Sequence, residues 1–235
     1  MTADDPTTPD ASTASKPGRK NNPEATRQNI LDVAREEFAN LGFSGGRVDA
    51  IAERTRTTKR MIYYYFGSKE GLYLAVLEQA YSDIRRIENT LNLDNLEPEQ
   101  AIRTLIDFTF DYQEQHEDFI RLVSIENIHR AEHMKDSTVI ANLNVTVIDT
   151  IGRILDAGRA TGVFRNPISP TDLHLMISAF CFFRVSNRHT FTLIFHQDLA
   201  APATRARHKA MIADAIISLL KSDGTAPVLP LAHST

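Results

Sequence analysis

Three stretches of the chain carry side chains whose type and spacing could do chemistry. The first is TTKRMIYYYFGSKE, residues 57 to 70, which holds three of the chain's six tyrosines beside Lys59 and Arg60. From Arg54 to Lys69 there are five cations and no acid. Lysine and arginine neutralise phosphates and can pair with O6 and N7 of guanine, while a tyrosine offers its hydroxyl to phosphate and its ring to sugar or a thymine methyl. The second stretch, His129-Arg130-Ala131-Glu132-His133, fits the H-x-x-E-H pattern of one metallopeptidase class. On a helix both histidines face one side, with Glu126 on the same face, which is a three-ligand zinc geometry. In a chain with eight histidines such a pattern arises easily by chance, and a partly exposed polar helix face also accounts for it. The third is Cys181, the only cysteine, between Phe180 and Phe182. With no paired histidine pattern it reads as a small buried hydrophobe, a thiol sensor being the alternative. No phosphate-binding glycine loop and no nucleophile elbow is present, and no cofactor is expected.

The elements that must position these groups read as helices. By propensity Ile62 to Phe66 favours a strand. At 100° per residue, however, Thr58, Ile62, Tyr65 and Phe66 gather on one side, and Lys59, Arg60, Tyr63 and Tyr64 on the other. A strand mixes these sets, whereas a helix sorts core from cation. With a short helix over Val48 to Thr55 before it, the layout is a helix-turn-helix, whose second helix enters a DNA major groove. A tyrosine-lined protein interface or a merely solvated basic face fits the same pattern. Lys69 adds a further signal. A cation in the first turn of a helix opposes the dipole by about 0.3–1 kcal/mol, and a phosphate there reverses the sign.

The rest of the chain supports an all-α fold. Residues 1–21 are Thr-, Pro- and Ser-rich and read as a disordered tail, whose Lys16, Arg19 and Lys20 suit solvent or phosphate. Residues 22–70 form the helix-turn-helix unit, opened by Asn22 as cap and Pro23. Residues 71–223 form a second helical unit, and 224–235 a C-terminal tail. Ser68 caps a helix through Ile87, Pro98 opens another, and Ser169, Pro170 and Asp172 start the helix of Phe180 and Phe183. A final helix spans about Thr204 to Leu220. The net charge of −4 excludes a polycation, so nucleic-acid binding must come from a local patch. One cysteine and no signal peptide or long apolar run suggest a cytoplasmic protein without a membrane span.

The run from Ile30-Leu31-Asp32-Val33-Ala34 through Phe38-Ala39, Gly42-Phe43, Val48, Ile51-Ala52 and Ile62-Tyr63-Tyr64-Tyr65-Phe66-Gly67-Ser68-Lys69-Glu70-Gly71-Leu72 resembles the amino-terminal domain of TetR-family transcriptional regulators. The resemblance implies a sequence-specific regulator rather than an enzyme. It implies a homodimer on double-stranded palindromic operator DNA, most often a repressor released by a small molecule. It assigns Arg47, Thr58, Lys59, Arg60, Met61, Tyr63, Tyr64 and Lys69 to the DNA face. Two residues depart from the family pattern. Gly46-Arg47 stands where a capping Ser or Thr is usual, with Gly46 able to cap, and Arg56 stands where Gly is frequent in the turn. Should the backbone there need φ > 0, Arg56 costs about 1 kcal/mol.

The family pattern also places the dimer seam on the last two long helices, here about 171–195 and 204–221. A ligand in the bundle would act by favouring a spacing of the two reading heads that does not fit DNA. Candidate ligand contacts are polar or aromatic residues within apolar stripes: Phe108, Tyr112, Glu126, Asn127, His129, Asn144, Phe180, Phe183 and Asn187. Glu126, His129 and His133 remain the metal candidates of the secondary reading, a metal-dependent enzyme or metal sensor. A regulator that activates, or that acts with a partner protein, is the third.

Overall fold

The computed structural model describes residues 22–224, in which no strand occurs. Ten α-helices follow in order: α1 Pro23–Gly45, α2 Val48–Arg54, α3 Lys59–Phe66, α4 Lys69–Glu88, α5 Pro98–Gln115, α6 Glu117–Ile128, α7 Thr138–Ala160, α8 Pro170–Ser186, α9 Arg188–Phe195 and α10 Pro202–Lys221. Two short 3₁₀ turns, Asn89–Leu91 and Leu93–Asn95, join α4 to α5. The tails expected at 1–21 and 224–235 lie outside the described residues, Gly224 excepted.

The helix starts follow local chemistry. Asn22 accepts from the Ala25 amide at 3.3 Å, Thr58 from Met61 at 3.2 Å, and Ser68 from Gly71 at 3.1 Å. Ser137 caps α7 and Ser169 caps α8 in the same way. Each side-chain oxygen satisfies an amide that has no partner inside its own helix. The cap, together with the fully buried Ile62, overrides the strand propensity of the three tyrosines. α2 differs from expectation, because Gly46 does not cap it. Arg47 occupies the cap position, and Glu37 of α1 reaches across to accept from its amide at 3.0 Å. Gly46 is needed for space instead, since a Cβ there would sit 2.5 Å from Cδ1 of Phe38.

Three other expectations change. α2 ends at Arg54, one residue short of Thr55. The long helix expected over 171–195 is two helices, broken at Asn187 between α8 and α9. The His129–His133 segment is not helical: α6 stops at Ile128, and Arg130 and Ala131 both take left-handed backbone at φ +59. α7 is long and apolar enough to cross a membrane. Its Ile140, Val147, Ile151, Ile154 and Leu155 are instead buried in the bundle.

Two apolar cores hold the chain. The first joins Ile30, Phe38, Ile51 and Ile62 of α1–α3 to Leu72 and Val76 of α4 and to Ile120 and Leu122 of α6. The second joins α5, α7, α8 and α10 through Ile102, Ile106, Ile151, Leu155, Ile177 and Ile216. The first core thus runs past residue 70, and α6 packs on α1 as if part of the amino-terminal unit. Where α4 meets α7 there is a polar contact, in which buried Arg85 bonds to Glu88 and, at 3.1 Å, to Asn144 of α7.

Candidate nucleic-acid interface

α3 is eight residues long and fixed from one side only. Ile62 is fully buried, with Tyr65 and Phe66 half-buried beside it. On the opposite side Tyr64 is 78% exposed, Met61 and Tyr63 are each 37% exposed, and Lys59 and Arg60 are open to solvent. Helical sorting therefore holds in three dimensions, with one correction. Thr58 is exposed rather than on the packing side, because its hydroxyl turns back to accept from the Met61 amide in the first turn of α3.

Arg47 and Lys69 extend this face from neighbouring elements. Arg47 is exposed at the start of α2. Lys69, half-buried at the start of α4, lies 4.8 Å from the centre of the Phe43 ring, with the Ser44 carbonyl at 3.5 Å. The ammonium itself makes both contacts, one a cation–π contact, so a phosphate would have to draw it off a weak, partly exposed pair of partners. The local charge is less free than the sequence suggests. Lys59 pairs with Asp49 of α2 at 3.2 Å, and Arg54 bonds to Glu36 and sits 3.7 Å from Glu37. These acids come from other helices, so a count along residues 54 to 69 misses them. The exposed pairs, Lys59 with Asp49 and Arg54 with Glu36, are worth only about 0–1 kcal/mol each, so a phosphate or base edge can displace them. The turn before α3 carries Arg56 at φ +53, the left-handed backbone that its place in the turn required.

The ligand candidates do not converge on one cavity. Asn144 is held by Arg85 in the polar contact between α4 and α7. Tyr112 is buried and stacks on His116 at 3.9 Å, with half-buried Phe108 at 5.7 Å. Asn127 is exposed and bonds only to the Val123 carbonyl. Asn187 marks the α8–α9 break and bonds to Ser186. Phe180 and Phe183 point outward from α8, 46% and 52% exposed. His129 alone lines clefts, one of about 630 Å³ against Phe43 and Glu70 and one of about 560 Å³ between the end of α1 and α6.

The metal geometry is corrected as well. Glu126, 2% exposed, accepts from the backbone amide of His133 at 2.8 Å and faces its Nδ1 at 3.1 Å. It locks the turn after α6 rather than presenting a free ligand. With the segment unwound, the two histidines no longer share a helix face, and no cluster of three or more His, Cys, Asp or Glu suited to a metal ion occurs among the described residues. Cys181 is buried, and burial pushes its thiol up to about 12, which suits a small hydrophobe.

Sequence reasoning missed a second ionic cluster. Glu114 of α5, 5% exposed, bonds to Arg184 of α8 and Arg188 of α9, both at 3.0 Å. The partners are 70 and 74 positions apart, so no spacing pattern reveals them.

Comparison with known proteins agrees with this fold. Residues 30–76 match the model described as bacterial regulatory proteins, tetR family, and residues 98–216 match the tetracyclin repressor-like C-terminal domain. The chain is 40% identical over 189 residues to the HTH-type transcriptional repressor NicS of Pseudomonas putida, covering 80% of this chain and 89% of that one. It is 30% identical over 155 residues to the HTH-type transcriptional regulator RutR of Escherichia coli, covering 66% and 71%. Among solved structures, the transcriptional regulator SCO4942 from Streptomyces coelicolor superposes with a TM-score of 0.62 at 27% identity, over 83% of this chain and 97% of that one.

Proposed function

The chain belongs to the TetR family of bacterial regulatory proteins, and from that premise we propose that it is a cytoplasmic homodimeric repressor, bound to a palindromic operator and released by a small molecule. The observation that carries the DNA half is the outer face of α3, where Lys59, Arg60, Tyr63 and Tyr64 stand exposed around a buried Ile62. Lys59 and Arg60, in the first turn, meet base edges; Met61 and Tyr63 pack beside them; Thr58, Tyr64, Arg47 and Lys69 hold the phosphates on either side. Repression is the role given to the relative NicS by its name.

Dimerisation is supported by the apolar surface of α8 and α10. Leu175, Phe180 and Phe183 are 64%, 46% and 52% exposed, and Met211 is 58% exposed. Such a patch on one chain calls for a partner surface. Release is supported by the first apolar core: α6 packs on α1, so a ligand that shifts α6 carries the reading head with it.

Selection of bound duplexes from random sequence tests this reading. The expected result is an inverted repeat with half-sites about 34–36 Å apart, one helical turn, or a multiple of it. Recovery of no enriched sequence, or of a single unpaired half-site, refutes it.

A further inference from the structure

α9 has no buried residue, and its last three, Leu193, Ile194 and Phe195, are 76%, 63% and 61% exposed. Isolated helices shorter than about 12–15 residues are marginal in water. The base of α9 is nonetheless fixed, since Arg188 bonds to buried Glu114 at 3.0 Å and also to Glu117. An apolar tip is thus held in solvent at a defined place. An aromatic ladder ties it to α8: Phe183 meets Phe191 edge-on at 6.5 Å, and Phe191 lies 4.6 Å from Phe195. The ladder starts on the outward face of α8 assigned above to the dimer, so the tip continues that surface.

The same chain carries a hollow of mixed lining with apolar side chains along one side. About 560 Å³ opens between the end of α1, α6 and the end of α8. Leu41 and Ile128 at its edge are 55% and 77% exposed, and Ile125 stands between them. Ser186 and His189 line its far side, so it opens at the root of α9.

We propose that α9 is an exchanged dimer arm, whose Leu193–Ile194–Phe195 tip packs into this hollow on a second copy of the chain. Eight helical residues span about 12 Å. Two such helices laid antiparallel across a two-fold axis put each tip at the root of the other, where the hollow opens, so both copies make the same contact. The inference rests on the homodimer reading. Its consequence is that each arm touches the end of α1 and α6 in the other subunit, the elements that hold the reading head, and so helps to set the head-to-head spacing.

Two variants of the full chain test the arm. Leu193→Ser/Ile194→Ser/Phe195→Ser is expected to keep its helicity and to dimerise at least about a hundredfold more weakly by sedimentation, given six apolar side chains buried per dimer. Ile128→Cys/Ile194→Cys, oxidised under mild conditions, is expected to give an interchain crosslink on a non-reducing gel; buried Cys181 stays unreactive. A folded triple variant that dimerises like the unaltered chain overturns the proposal, as does an absent interchain crosslink in a solution shown to be dimeric. Should the triple variant fail to fold, the cysteine pair decides alone. Loss of binding to anionic vesicles in the triple variant, with dimerisation unchanged, assigns the tip to a lipid surface and also overturns it. An unaltered chain that is monomeric at all concentrations fails at the homodimer reading, a separate and visible result.

Discussion

Ile62 is wholly buried while Tyr64, two positions on, is 78% exposed, and the consequences of substitution divide along the same line. Ile62→Ala leaves a cavity in the first core and is expected to cost about 2–5 kcal/mol, read as a lower midpoint in a urea titration. Lys59→Ala with Arg60→Ala removes only exposed groups. That pair should leave thermal stability within about 0.5 kcal/mol of the unaltered chain while abolishing preference for the selected operator over unrelated duplex. Retained specificity would contradict their assignment to base edges. Lys69→Ala should act differently: all DNA weakens alike, and the slope of log affinity against log salt falls by about one. His174 on α8 offers a pH signature. Burial, and then the charge of Arg85, lower its pKa from 6.5 to about 4. A histidine held neutral in the fold binds fewer protons there than in the unfolded chain. Stability is therefore undiminished above about pH 6.5 and falls as pH drops towards about 4. Equilibrium unfolding across that window should show a slope that His174→Leu reduces.

Among the elements, the turn between α2 and α3 sets stability against binding. Arg56 sits at φ +53, where a side chain costs roughly 1–2 kcal/mol that glycine avoids. Arg56→Gly should therefore raise stability, by about 1 kcal/mol, and at the same time weaken binding to every duplex by removing an exposed cation from the turn that leads into α3. A variant less stable than the parent would show that the arginine packs rather than strains. This element was legible because its signals are local. The cap at Ser68 and the period of Ile62, Tyr65 and Phe66 lie within a turn or two of one another, whereas Thr58, read as a packing residue, proved to be the cap of α3. Helix starts at Asn22, Pro98 and Ser169 were legible for the same reason. What was not legible depends on partners far along the chain. Glu37 takes up the Arg47 amide at the start of α2 from ten positions away, and the pairs of Glu114 with Arg184 and Arg188 span 70 or more. The break at Asn187 has no proline or glycine to announce it. The unwinding of Arg130 and Ala131 runs against a sequence with good helical propensity, and buried Glu126 takes up the amide of His133 that the turn exposes. The ligand candidates were chosen by polarity within apolar stripes, a rule that finds buried polar groups without saying which of them share a cavity.

At the scale of the whole molecule, the proposed recognition of a palindromic operator depends on having two reading heads. One α3 presents two first-turn cations, and a single helix of that size binds DNA weakly. Two heads joined rigidly convert the second contact into an intramolecular one and gain roughly 10²–10⁴ in affinity without any new kind of contact. On the same proposal, that rigidity would also make the dimer releasable. A coupling of about 1–3 kcal/mol between effector and spacing is enough to change occupancy by one or two powers of ten. Both consequences require the outward face of α8 and α10 to be the seam. Phe180→Glu with Met211→Glu places a charge from each helix into that face, where burial without a partner costs several kcal/mol. These residues are 46% and 58% exposed in the single chain, so the fold itself should tolerate the change. The expected outcome is a helical monomer by sedimentation and circular dichroism. Its affinity for a single half-site should be unchanged, and its affinity for the full palindrome should fall to that of the half-site. A variant that stays dimeric moves the seam elsewhere. A monomer that still prefers the palindrome by a large factor would mean that the two heads meet on DNA without being held together first, and the effector would then have no fixed spacing on which to act.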